Sequence, residues 1–148
     1  MSLLDDSYVL KIVGKGPYKG ELQKLSEKLN VSDRIVFYDF VDDKKLTSLY
    51  KEAFCVIFMP YNEPFGIVAL ESLAAGTPVI GLKNGEGYSE IIDDGKTGFL
   101  TGFDPHVIAD KIRFMQNDEE KYKKMVKYCK KSAENYTWDN CRCCIQSI

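Results

Sequence analysis

Two hydrophobic rhythms alternate along the chain. Short apolar, β-branched runs at residues 8–13, 34–38, 54–59 and 78–81 have the length and composition of strands. Between them, apolar residues recur every three or four positions. Leu22, Leu25 and Leu29 form one such stripe, and Leu46, Leu49, Tyr50 and Ala53 form another. Residues 66–75 are apolar at nearly every position and predict a buried helix that Gly76 stops. The run at 54–59 carries no charge and predicts a strand buried on both faces. Gly14-Lys15-Gly16-Pro17 marks a turn, Asn30 suits a helix end, and Asp42 can cap the helix after it. A short helix is expected around residues 89–92, then a turn at Asp94-Gly95 and a last strand at Gly98-Phe99-Leu100. Asp104-Pro105 opens a further helix with Ile108, Ile112 and Met115 inward. Asp118-Glu119-Glu120 opens another, with Tyr122, Met125, Val126 and Cys129 inward and Lys130-Lys131 at its close. Thr137 can cap a final helix containing Trp138 and Cys141.

Strand and helix alternate steadily as far as residue 92. That order predicts a Rossmann-like α/β fold, a parallel sheet with helices on both faces. The helical remainder is expected to pack across the sheet. At 148 residues the chain is expected to form a single domain, able to bury roughly 70% of its unfolded surface. Its 20 Lys and Arg are balanced by 22 Asp and Glu, which argues against the basic face of a nucleic-acid binder. No apolar run has the length of a membrane span, and the start turns acidic at Asp5 and Asp6, unlike a secretory leader. The 5 cysteines are odd in number, and Cys141, Cys143 and Cys144 crowd the C-terminus. That is no disulfide framework, so a cytoplasmic setting is expected. Those three with Cys129 match no tetrahedral metal spacing, and no metal ligand is assigned.

In an open parallel sheet, ligands bind at the C-terminal ends of the strands. Three loops there have unusual chemistry: residues 14–17, 60–66 and 83–87. The middle one leads into the apolar helix that carries Glu71. A carboxylate in a buried helix needs donors. Helical side chains lean toward the N-terminus, so Glu71 is aimed back at the loop holding Glu63 and Gly66. The backbone amides of Phe65, Gly66 and Ile67 start that helix and would face an anion. Amides suit phosphate and carboxylates suit hydroxyl donors, and a nucleotide sugar offers both.

The segment Glu63-Pro64-Phe65-Gly66-Ile67-Val68-Ala69-Leu70-Glu71 resembles the paired-glutamate signature of the group 1 (family 4) retaining glycosyltransferases, which have the two-domain GT-B fold. The surroundings are similar to that family in the same order. Residues 10–17 resemble its strand and Gly-x-Gly-Pro turn, and residues 34–41 its strand toward the base pocket. Ala74-Ala75-Gly76-Thr77-Pro78-Val79-Ile80 resembles its Ala-x-Gly-x-Pro-Val-Ile segment. Residues 87–90, 95–100 and 136–139 resemble its Gly-x-x-Glu, Gly-x-x-Gly-Phe-Leu and aromatic-Thr-Trp segments. Motifs in series are far more specific than one alone.

The resemblance implies a role for each matching residue. Glu71 would accept from the ribose hydroxyls of the donor nucleotide, and Glu63, the implied catalytic residue, from hydroxyls of the donor sugar. The amides of Phe65, Gly66 and Ile67 would face sugar hydroxyls and the diphosphate. Val41 and Asp43 would border the base, and Gly85 and Gly87 would let their loop approach the site. The implied fold is the C-terminal domain of a GT-B enzyme, and the implied activity is transfer of a hexose from a nucleoside diphosphate sugar, with retention, to a glycan or lipid acceptor. No cofactor beyond that donor is implied.

Three departures stand out. The family's donor domain begins with another strand, followed by an Arg and a Lys that neutralise the diphosphate, and nothing before Leu10 corresponds to them. Its N-terminal acceptor domain has no counterpart either. Glu86 interrupts the usual Gly-Gly pair between Gly85 and Gly87. The chain is therefore expected to be the later part of a donor-binding domain, inactive by itself, from an enzyme that is cytoplasmic or peripheral to the membrane. The alternative is a non-catalytic nucleotide-sugar-binding or interaction module.

Overall fold

The computed structural model describes residues 1–61, 63–84 and 87–136. Gly85, Glu86, the expected cap at Thr137, Trp138 and the cysteines Cys141, Cys143 and Cys144 lie outside the described residues. The chain divides into two compact units, Met1–Leu46 and Thr47–Ile148.

In the first unit, β1 (Leu10–Val13) pairs in parallel with β2 (Ile35–Tyr38), Leu10 opposite Ile35 and Val13 opposite Tyr38. Parallel neighbours need a crossover, and α1 (Lys19–Lys28) supplies it. Asn30 leaves that helix with φ 54°, in the left-handed region that asparagine tolerates best among residues with side chains. The Arg34 guanidinium gathers the N-terminal segment, donating to the carbonyl oxygens of Asp5 at 2.7 Å and Leu4 at 3.3 Å. Leu22, Leu25 and Leu29 remain exposed along α1. A sheet of two four-residue strands is too narrow to cover that stripe.

The unit boundary falls within α2 (Asp43–Glu52), whose first turn is capped as expected: Lys45 N–H donates to Asp42 Oδ1 at 2.7 Å. In the second unit, β3 (Val56–Phe58), β4 (Val79–Leu82) and β5 (Gly98–Thr101) form a parallel sheet in that order. The central strand β4 is buried at all four positions. The expectation that residues 54–59 are buried on both faces is not met, because β3 is an edge of this sheet and Ile57 is 45% exposed. An apolar run shows that a strand meets a core; it does not show where in the sheet the strand stands.

Four helices complete this unit: α3 (Ile67–Ala75), α4 (Tyr88–Ile91), α5 (Pro105–Asn117) and α6 (Glu119–Ala133). The last two start at the expected aspartates. Asp104 Oδ1 accepts from His106 N–H at 2.8 Å, and Asp118 Oδ1 from Lys121 N–H at 3.0 Å. Helix α5 packs on β5, and α6 packs on α3 and α5. Leu73, Val79, Ile80, Met115, Met125 and Cys129 form the centre of the core. Cys129 donates its thiol to the Thr97 carbonyl at 3.4 Å, and burial pushes that thiol up to about 12, so it stays neutral and unreactive. Leu73 has no exposed surface. Leu73→Ala is expected to lower stability by about 2–5 kcal/mol in denaturant unfolding, and an unshifted midpoint would contradict this packing.

Candidate functional site

Helix α3 organises the site, and its two faces differ. Ala69, Ser72, Leu73 and Gly76, spaced three and four apart, are buried against the unit. Ile67, Glu71 and Ala74, on the same spacing one step round, are exposed. Glu71 therefore does not sit in a buried helix as the composition suggests. It lies on a solvent-facing stripe of a helix whose apolar content is only partly covered. Its Oε2 accepts from the Tyr50 hydroxyl of α2 at 3.0 Å. Burial of the ring, then the bond to Glu71 and its charge, push the Tyr50 phenol well above its ordinary range. Tyr50 is thus a hydrogen-bond donor at any physiological pH.

Glu63 stands at the start of the same helix. Its Oε1 accepts from the backbone N–H of Phe65 at 3.2 Å and of Gly66 at 3.1 Å. A negative charge on these amides also complements the helix dipole. Two of the three amides that sequence reasoning assigns to an anionic ligand thus already face a carboxylate of this chain. The third, that of Ile67, belongs to the first residue of α3.

The turn into α3 is tight. Gly66 takes φ 69°, and a Cβ there would lie 2.2 Å from Cβ and 2.8 Å from Cα of Tyr88. Tyr88 opens α4 with no exposed surface, its ring edge-on to Phe58 at 5.2 Å and its side chain against Gly81. Beside it, a Cβ at Gly87 would come within 1.9 Å of the Pro64 carbonyl oxygen. The loops that follow β3 and β4 are therefore in backbone contact, and two glycines permit it. The approach at Gly87 is to the backbone of Pro64, while Gly85 lies outside the described residues. Val41 and Asp43 belong to the first unit, Val41 half-buried after β2 and Asp43 exposed at the first position of α2.

Two residues of this site escape sequence reasoning. Tyr50 reads as one more apolar position on α2, since a hydrophobic pattern registers the ring and not the hydroxyl. Tyr88 falls between the loop at 83–87 and the helix expected around 89–92 and is given no role by the pattern, yet it is the wedge on which Gly66, Gly81 and Phe58 converge.

Solved structures share this fold. The chain superposes on the Anabaena protein HepE, determined with UDP, with a TM-score of 0.86 at 21% identity over 99% of this chain and 43% of that one. It superposes on the C-terminal domain of LpcC, a group 1 glycosyl transferase of Francisella tularensis, with a TM-score of 0.70 at 27% identity over 80% of this chain and 62% of that one. The fold is that of the GT-B glycosyltransferases. Residues 1–132 match the family model described as glycosyl transferases group 1, and the chain belongs to that family.

Among curated relatives, the D-inositol 3-phosphate glycosyltransferase of Streptomyces avermitilis is 37% identical over 128 residues, which is 85% of this chain and 27% of the relative. An uncharacterized glycosyltransferase of Methanocaldococcus jannaschii is 38% identical over 133 residues, 88% of this chain and 34% of the relative. The chain thus spans about a quarter to a third of the length of these relatives. Among the described residues, no helix is long and apolar enough to cross a membrane.

Proposed function

We propose that the chain is the later part of the nucleotide-sugar-binding domain of a retaining hexosyltransferase. Glu71 accepts from the ribose hydroxyls of a nucleoside diphosphate sugar, and Glu63 accepts from hydroxyls of the transferred hexose. One observation carries the reading: in a chain of the group 1 family, a single short helix is entered through a turn whose amides hold one carboxylate, and it presents another on its exposed stripe. Both bonds to Glu63 fall on Oε1. The amides of Phe65 and Gly66 therefore orient the carboxylate, and Oε2 takes the sugar hydroxyl. Charge that builds on the departing diphosphate is met by the remaining N-terminal dipole of α3 at Ile67 and by cations supplied from the rest of the enzyme. Gly85 and Gly87 bring their loop to the donor sugar, and Val41 and Asp43 border the base. The whole enzyme adds an acceptor domain for a glycan or lipid, and the isolated chain binds donor without transferring it.

Calorimetric titration of the chain with UDP, GDP and ADP tests the core of this reading. Glu71→Gln replaces a charged acceptor by a neutral one and is expected to weaken the tightest of them by about 1–3 kcal/mol. Equal affinity in wild type and variant would remove the ribose role. Retention is tested separately, by the anomeric configuration of the product of the full-length enzyme in NMR; inversion overturns it. A chain with no transferase activity even when joined to its acceptor domain, but with donor affinity intact, would instead be a nucleotide-sugar-binding module.

A further inference from the structure

Two hydrogen bonds tie the last turns of α2 to α3. Thr77, in the turn after α3 and 2% exposed, donates its Oγ1 to the Tyr50 carbonyl at 2.6 Å. Thr77 is itself held by Ser72, whose hydroxyl donates to the Thr77 carbonyl at 2.9 Å and whose own carbonyl accepts from Thr77 N–H at 2.9 Å. Tyr50 then reaches back with its hydroxyl to Glu71 Oε2 at 3.0 Å. The path runs from the core of the unit to a carboxylate on its surface. An exposed glutamate on a helix is free to change rotamer, and fixing it for a ligand costs side-chain entropy. A donor whose own backbone is anchored by a buried threonine lowers that cost before any ligand arrives.

We propose that Tyr50 is the positioning residue for Glu71: its hydroxyl holds Oε2 and turns Oε1 toward a ribose hydroxyl of the bound nucleotide. The inference rests on the ribose role of Glu71 given above. The phenol suits the task because it donates one bond along a fixed direction and carries no charge to compete with the ligand. A bond that merely fastened α2 to α3 would serve every ligand equally. A bond that aims Glu71 serves only ligands that own the hydroxyl Glu71 accepts from.

That difference is measurable on the chain itself. UDP, GDP and ADP are titrated first, and the tightest is compared with its 2′,3′-dideoxy analogue for wild type, Tyr50→Phe and Glu71→Gln. Tyr50→Phe is expected to weaken the ribonucleotide roughly three- to tenfold, the range of one hydrogen bond, and to leave the dideoxy analogue unchanged. Equal weakening of both ligands assigns Tyr50 a structural role and overturns the proposal, as does no change in either. Should Glu71→Gln weaken the ribonucleotide while Tyr50→Phe does not, the positioning role fails and the ribose role stands. Should Glu71→Gln also leave the ribonucleotide unaffected, or none of the three diphosphates bind, the ribose role itself fails and the proposal with it.

Discussion

Gly66→Ala is expected to cost the second unit about 3–5 kcal/mol, a loss in the range reserved for overpacked or strained positions. Two penalties add. The left-handed backbone at φ 69° costs a residue with a side chain roughly 1–2 kcal/mol. The new methyl would also lie 2.2 Å from the Tyr88 side chain and 2.8 Å from its Cα, so α3 and α4 must separate. Tyr88 cannot swing aside, because it is fully buried against Phe58 and Gly81. Gly95→Ala is the control. Gly95 also has positive φ, 78°, but a Cβ there meets nothing within 4 Å. Its loss should therefore stay at the strain alone, roughly 1–2 kcal/mol. Unfolding curves for the two variants separate strain from collision, and equal losses would show that the contact with Tyr88 yields without cost. Separation of α3 from α4 also moves the amides that hold Glu63, so the same variant should lose affinity for a nucleotide sugar at temperatures where it is still folded.

What could be read from residues alone, and what could not, follows from the range of the physics involved. Caps and stops are local. Asp42, Asp104, Asp118 and Gly76 each decide one turn of backbone through a nearby hydrogen bond or a left-handed φ, and each sits where the pattern puts it. The turn into α3 is local in the same way, since Glu63 bonds the amides of Phe65 and Gly66 and Gly66 takes a left-handed φ. Coverage is not local. Residues 66–75 look uniformly apolar, but which stripe of α3 meets the core depends on β3, β4 and α6, elements that lie outside this segment of sequence. So the pattern predicts Glu71 buried, and it is exposed. The same gap explains β3. Its run of apolar residues is real, but edge or centre is decided by strand order, which no window of sequence contains. Tyr50 marks a third kind of limit. Its contribution is one oxygen atom at the end of a ring that packing alone would justify.

Glu63 carries the second large effect, and here two roles meet in one side chain. Glu63→Ala removes an acceptor from the amides of Phe65 and Gly66, which loses the hydrogen bonds that hold the turn into α3 and costs about 0.5–1.5 kcal/mol of stability. If the carboxylate also holds the hexose, the same variant loses much more in function. Removal of one oriented group at a reacting centre typically lowers turnover by about a hundredfold to a thousandfold, equivalent to about 3–4 kcal/mol. Glu63→Gln separates the roles. Its amide oxygen can still accept from both backbone N–H groups, so only the charge's interaction with the helix dipole, about 0.3–1 kcal/mol, should be lost. If Glu63 binds the sugar hydroxyl as proposed, that charge is gone, so turnover in the full-length enzyme should fall nearly as far as in the alanine variant. On the isolated chain the readout is the extra affinity of a nucleotide sugar over its bare diphosphate, which both variants should abolish. A glutamine variant that keeps wild-type turnover and that extra affinity, beside an alanine variant that only melts earlier, would leave Glu63 as a brace of the turn into α3 and remove its role toward the sugar.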